Sequence, residues 1–157
     1  MKILFYLFLA LLIYNCKQEN IDMKVILFKD GTSQTYNLSS EEKEKVNKII
    51  SNVFLGIDEV LKIYFSEERI HELKNSEEVF EIFYDKPVLF ATKEFDSLRV
   101  KKIIFPLTGD LIGNANSPEI TIISGEEEYD STPFRNMNGY ENLMQLKKLI
   151  YSAKQDK

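Results

Sequence analysis

The chain has 157 residues, of which 44% are hydrophobic and 12% aromatic, and its formal net charge is −5. That length suits a single domain with a packed core. The acidic balance argues against a nucleic-acid partner, because nucleic-acid binding rests on clustered Lys and Arg, and it argues equally against broad electrostatic adhesion to anionic lipid.

The first sixteen residues have the character of an export leader. After Lys2, residues 3–14 carry no charge. This run is shorter than the roughly 20 apolar residues that cross a bilayer, but it fits the apolar region of a secretory signal peptide. A buried amino-terminal helix is the alternative, and it is disfavoured because the run leaves no polar face for water.

Cys16 is the only cysteine, and it stands at the end of this leader. The stretch Ile13, Tyr14, Asn15 and Cys16 resembles the lipobox of bacterial lipoproteins. Ile13 takes the place of the leucine-like residue, while Tyr14 and Asn15 are bulkier than the family's usual small residues. The resemblance covers the leader alone and attaches the rest of the chain to no named family.

This resemblance implies a cleaved and lipidated protein. Residues 1–15 would be the signal peptide, and residues 16–23 a tether whose Cys16 carries diacylglycerol and an acylated amino group, with palmitate a typical acyl chain. Two or more acyl chains hold a protein firmly to a membrane. The alternative is an ordinary signal peptide that leaves Cys16 as a free thiol.

The residue after the cysteine bears on location. Lipoproteins kept at the inner membrane often have Asp there, whereas this chain has Lys17. By resemblance, we expect a lipid-anchored protein of the cell envelope, at the outer membrane of a Gram-negative bacterium.

A β-hairpin is predicted first in the mature chain. Residues 24–29 have an apolar centre typical of a strand, and residues 32–38 would form the returning strand. Between them, Asp30 and Gly31 are a strong signal for a tight turn, because Gly accepts the positive φ that the turn requires.

A helix is predicted at residues 40–55. Ser39 and Glu42 have the spacing of a capping box, and Gly56 is a natural stop. The apolar stripe at helical spacing consists of Val46, Ile49, Ile50, Val53 and Phe54.

Several shorter elements are predicted in the middle of the chain. They are a strand at 60–65, a short helix at 67–73 capped by Ser66, hairpin strands at 77–84 and 88–92 around a turn at 85–87, and strands at 100–107 and 119–124. Pro106 cannot donate a ladder hydrogen bond, so it marks a strand edge or end.

Two connections and a helix complete the predicted elements. Residues 108–118 read as a loop, and residues 125–138 as a long polar connection with room for one short strand. A closing helix at 139–153 would be capped by Asn138 and Glu141. The whole pattern predicts a single α+β domain over residues 24–157, a mostly antiparallel sheet with helices on one face.

Motifs that carry chemistry are scarce. His71 is the only histidine, and Glu67 lies one helical turn before it, so the two predict at most a weak surface ion site. The acidic run at residues 126–130 predicts a solvated turn, with acid–base carboxylates as the alternative. From this we expect no catalytic residue, no metal and no cofactor.

The loop that begins at Asp130 is the best candidate for a partner-binding surface. It offers Asp130, Thr132, Phe134 and Arg135 within six residues, and Phe and Arg are favoured interface anchors. Long connections are also disproportionately functional. The alternative is an ordered loop that packs Phe134 into the core.

Three functions stay open at this point. The first is a non-enzymatic, membrane-anchored domain that binds an envelope protein or has a structural role. The second is a carrier with an apolar cavity of at least about 300 Å³ between sheet and helices. The third is a hydrolase that uses two carboxyl groups about 5 to 9 Å apart in one cleft.

Overall fold

The structure is a computed structural model that describes residues 22–153. The predicted signal peptide, Cys16 and most of the predicted tether lie outside these residues. Within residues 22–153, no helix is long and apolar enough to span a membrane.

The described chain has an α+β fold with one antiparallel sheet and three helices, which confirms the predicted fold class. The strands are β1 (Met23–Lys29), β2 (Thr32–Tyr36), β3 (Glu59–Val60), β4 (Val79–Phe90), β5 (Leu98–Pro106), β6 (Ile112–Asn114), β7 (Ser117–Gly125) and β8 (Phe134–Asn136). The helices are α1 (Ser40–Leu55), α2 (Glu67–Ser76) and α3 (Tyr140–Ser152). The strand order is β2-β1-β4-β5-β7-β8-β3, and β6 pairs with β7 outside this path.

Helices cover both faces of the sheet. On the first face, β4 contributes Phe80, Ile82 and Tyr84 to the main core, which α1 and α3 close. On the second face, alternate residues such as Val79 form a smaller core under Ile70 and the rest of α2. The expectation of helices on one face is therefore wrong, because both faces of the central strands are apolar and each needs cover.

The predicted first hairpin and first helix are confirmed. Asp30 and Gly31 have φ values of 51° and 71°, so both turn residues are left-handed, as the tight turn requires. At the start of α1, the Ser39 amide donates to the Glu42 carboxylate over 2.7 Å, and the Glu42 amide donates to the Ser39 hydroxyl over 3.3 Å. This is the predicted capping box.

The predicted strand at 60–65 is mostly irregular. Only β3 pairs regularly, with β8. Beyond it the chain still follows residues 131–135, with the Leu61 amide bound to the Pro133 carbonyl at 2.9 Å and the Phe65 amide to the Ser131 carbonyl at 2.8 Å. Pro133 has no N–H to donate, so a regular ladder cannot continue here.

The predicted hairpin turn at 85–87 is also wrong. β4 runs without reversal and pairs with β5 on both sides of a register shift between Phe83 and Val88. Asp85, Lys86 and Pro87 thus form a bulge. A bulge accommodates extra residues in one strand, and it is also a place where a proline, which has no N–H to donate, is tolerated. The reversal comes later, at residues 91–97.

Two local predictions near the end of the chain need correction. The predicted loop at 108–118 contains β6, which forms a hairpin with β7 where the Asn114 side chain accepts from the Asn116 and Ser117 amides.

The predicted Asn138 and Glu141 capping pair is absent. Gly139 caps α3 without a side-chain bond, and the Asn138 amide instead donates to Asn136.

We predict that Val53→Asp unfolds the domain. Val53 is fully buried in the main core, so an aspartate there buries an unpaired charge at a cost of more than about 4 kcal/mol. The matched control is Asn52→Asp at the exposed neighbour on the same turn. Thermal melts followed by circular dichroism compare the two, and an unchanged melt for Val53→Asp would contradict the core assignment.

Candidate functional site

An open groove lies on the second face, between α2 and residues 126–131. We call it the α2 groove. Its larger part has a volume of about 600 Å³, and an adjoining part of about 370 Å³ shares Glu67, Ile70, Lys102 and Tyr129 with it. Both volumes are in the range of ligand sites.

A buried ion pair borders the α2 groove, whose smaller part is lined by Lys74 and Tyr129. Glu81 lies on the second face of β4, and its side chain is only 4% exposed. It forms an ion pair with Lys74 of α2 and accepts a hydrogen bond from the Tyr129 hydroxyl. A carboxylate this deep is tolerable only because it is paired and hydrogen-bonded.

The ammonium groups of Lys74 and Lys102 both lie over aromatic rings. Lys74 lies 5.0 Å from the centre of the Phe28 ring and 5.7 Å from that of Tyr129. Lys102 lies 4.5 Å from the centre of the Tyr129 ring and donates to the Glu127 carbonyl over 2.6 Å. Burial, and then the charge and hydrogen bond of Glu81, raise the pKa of Tyr129. Tyr129 therefore stays a protonated donor at neutral pH.

The outer rim of the groove is aromatic and acidic. Tyr64 is 68% exposed there, which is unusual for so large an aromatic side chain. Partial loss of hydration raises the pKa of Asp130, while the Lys102 charge opposes this shift. The rim thus has an accessible tyrosine ring and an exposed carboxyl group along the same groove.

The acidic run at residues 126–130 forms a tight turn at the end of β7. A Cβ at Gly125 would lie 1.8 Å from the Glu128 carbonyl oxygen, so only glycine fits this position. Glu126 pairs with Arg99 over 2.9 Å, and Glu127 and Glu128 are exposed. The run is the solvated turn that the sequence predicts.

The four predicted partner-binding residues do not form one cluster. Asp130 lines the α2 groove, and Thr132 is exposed beside it. Phe134 and Arg135 belong to strand β8, where Phe134 packs on the main core and Arg135 lies 3.6 Å from Glu59 in an ion pair. Successive strand residues face opposite ways, so Phe134 and Arg135 do not share a surface. Their role in binding stays a prediction.

His71 lines the smaller part of the groove with Glu67. Its Nδ1 lies 2.8 Å from the side-chain amide of Asn75. No group of three or more His, Cys, Asp or Glu side chains suited to a metal ion occurs within residues 22–153.

Three ionisable groups beside the α2 groove are bonded to one another. Glu81 accepts hydrogen bonds from both Lys74 and Tyr129, so none of the three is a free nucleophile or base. Comparisons of the chain with protein-family models, with curated protein sequences and with solved structures give no match.

Sequence reasoning missed the central group, Glu81. Phe80, Ile82 and Tyr84 alternate as in a half-buried strand, which puts Glu81 on the face taken to be solvated. A usable signal was present, because Glu81 lies between Val79 and Phe83, apolar residues on that same face. A charged residue between apolar residues on one strand face indicates a paired, buried charge.

We predict that Lys74→Met lowers the free energy of unfolding by about 3 kcal/mol, because it leaves the buried Glu81 carboxylate without its cation. The control is Lys45→Met, which breaks a surface pair with Glu41 whose side chains are 58% and 77% exposed, and it should leave stability nearly unchanged. Denaturant titrations measure both variants.

The double variant Lys74→Met with Glu81→Leu sharpens this test. Replacing a buried ion pair by apolar side chains of similar volume is often neutral, so we expect it to recover most of the lost stability. Equal losses in the single and double variants would show that Lys74 acts through packing rather than charge.

Proposed function

We propose that this protein is a lipid-anchored domain of the cell envelope, at the outer membrane of a Gram-negative bacterium, that binds another envelope component and is not an enzyme. The α2 groove would be its binding surface. The observation that carries the binding part is Tyr64, 68% exposed at the rim of a groove of about 600 Å³.

The anchor rests on the leader. Residues 3–14 are uncharged, and Cys16 follows at the lipobox position as the only cysteine. A tether of this kind holds a domain at the membrane without any contact from the folded part, since two or more acyl chains suffice. Binding surfaces on the domain would then be free for a partner.

The α2 groove has the makeup of a protein-binding surface. Tyrosine is favoured at interfaces because it buries a large ring at low entropic cost and keeps a polar end. Bonds from Lys74 and Tyr129 to Glu81 hold α2 and residues 126–131 to β4 beside the groove, so little ordering is needed on binding. Asp130 at the rim supplies one of the predicted partner-binding groups.

A small-ligand carrier is the second candidate, and the size of the groove favours it. The adjoining part of about 370 Å³ exceeds the minimum set for such a site. Its lining, however, includes Glu67, His71, Lys74 and Lys102, so a polar ligand suits it better than an apolar one. Hydrolase chemistry has less support, because Glu81 is neutralised by Lys74 and Glu126 by Arg99.

For the anchor, we predict that Cys16→Ser abolishes lipid attachment, because no other side chain of the chain can carry the thioether. Cells fed a labelled fatty acid should label the wild-type protein and leave the variant unlabelled. Equal labelling of the two proteins would contradict the anchor.

For the groove, we predict that a photo-crosslinking phenylalanine analogue at position 64 captures a discrete partner in intact cells. The matched control places the analogue at Tyr151 on α3, which is 39% exposed on the first face. Asp130→Asn and Arg135→Ala, each combined with the probe at 64, then test the predicted binding residues by their loss of adduct. Identical adducts from positions 64 and 151, or none from 64, would count against the α2 groove.

A further inference from the structure

The described chain begins beside the bulge of β4. Met23 pairs with Tyr84, and the Asp85 amide donates to the Asp22 carbonyl over 3.2 Å. Cys16 precedes Asp22 by six residues, which reach at most about 22 Å when fully extended. A lipid on Cys16 would therefore keep this bulge close to a membrane surface.

One hairpin extends past this point. β4 is antiparallel to β1, so beyond Tyr84 it continues toward the side from which the chain enters β1. Val88 pairs with Val100 and Phe90 with Leu98, and residues 91–97 close the reversal. We call residues 86–101 the hairpin tip.

The hairpin tip has two exposed apolar side chains. Leu89 is 68% exposed, whereas its neighbour Phe90 faces the core and stacks on Phe54 at 4.4 Å between ring centres. Phe95 is 37% exposed and rests partly on Phe134. Thr92 holds the reversal in shape, since its hydroxyl donates to the Phe95 carbonyl over 2.6 Å and accepts from the Phe95 amide over 3.0 Å.

The charge of the hairpin tip is opposite to that of the chain. Residues 86–101 contain four basic side chains and two acidic ones, a formal charge of +2 in a chain whose total is −5. The basic residues are Lys86, Lys93, Arg99 and Lys101, and the acidic ones are Glu94 and Asp96. Glu126 offsets part of this charge by pairing with Arg99, while Lys86 and Lys93 are exposed.

We propose that the hairpin tip docks on the anionic phospholipid surface of the membrane to which the Cys16 lipid holds the chain. This inference rests on the proposed anchor. Leu and Phe insert at the boundary between headgroups and acyl chains, and each Lys or Arg near an anionic leaflet strengthens association about fivefold. The negative charge elsewhere on the domain turns the rest of it away, so the tethered domain takes a fixed orientation.

Cys16 permits a clean test, because a lipidated Cys16 leaves the chain without a free thiol. Ser97→Cys in the hairpin tip and Ser33→Cys in β2 are matched exposed positions, and each takes an environment-sensitive fluorophore. The full lipidated proteins are reconstituted in vesicles of phosphatidylcholine with phosphatidylglycerol and headgroup-level nitroxide lipid. We expect most of the fluorescence to be quenched at position 97 and little at position 33.

Two further variants test the cause of this docking. Leu89→Ser and Lys93→Glu, each combined with Ser97→Cys, should weaken the quenching. Leaving phosphatidylglycerol out of the vesicles, or raising the salt concentration, should weaken it as well. The inference would be overturned by equal quenching at positions 97 and 33, or by quenching at position 97 that neither variant weakens. Both results would leave the anchor in place. Association of two copies through Leu89 and Phe95, without quenching by lipid, would overturn the inference as well.

The wild-type chain separates failure of the anchor from failure of the docking. A wild-type protein that takes up the fluorophore has a free Cys16 thiol, so the proposed anchor is absent and the docking falls with it. A wild-type protein that takes up none, together with an unquenched probe at 97, contradicts the docking alone.

Discussion

The burial of β4 on both faces is the constraint on which the rest of the structure depends. Phe80 and Ile82 face α1 and α3, while Val79 and Glu81 face α2. Because side chains alternate along a strand, a slip of one residue would exchange the side chains of the two faces and turn Glu81 toward the main core. The pairing with β1 and β5 fixes this register.

The second face differs from the first because it buries a charged residue, Glu81. A carboxylate 4% exposed needs a cation and donors, and it draws Lys74 from α2 and Tyr129 from the chain after β7 to the same point. Apolar side chains of similar volume in place of both Glu81 and Lys74 would be as stable or more so. What the charge supplies is a fixed arrangement of α2 and residues 126–131, and the α2 groove lies between these two segments.

The two proposed surfaces, the hairpin tip and the α2 groove, would have different roles in a tethered domain. If the Cys16 lipid supplies affinity for the membrane, the hairpin tip needs only weak contacts to set orientation, since a tether makes the second contact intramolecular. The α2 groove is then presented at a constant angle to its partner. The fixed arrangement of α2 and residues 126–131 suits that role, because a preorganised surface loses little entropy on binding.

The sequence by itself determined the elements whose signals are local. The capping box of Ser39 and Glu42, the left-handed turn at Asp30 and Gly31, and the α+β class all follow from spacing and backbone sterics. Tertiary structure alone decided that residues 85–87 form a bulge rather than a turn, because a shared partner strand outweighs the turn signal of Pro87. It also decided which group pairs with the buried Glu81, because the cation that makes this burial tolerable comes from Lys74 on α2, and no local pattern reports a contact between separate elements.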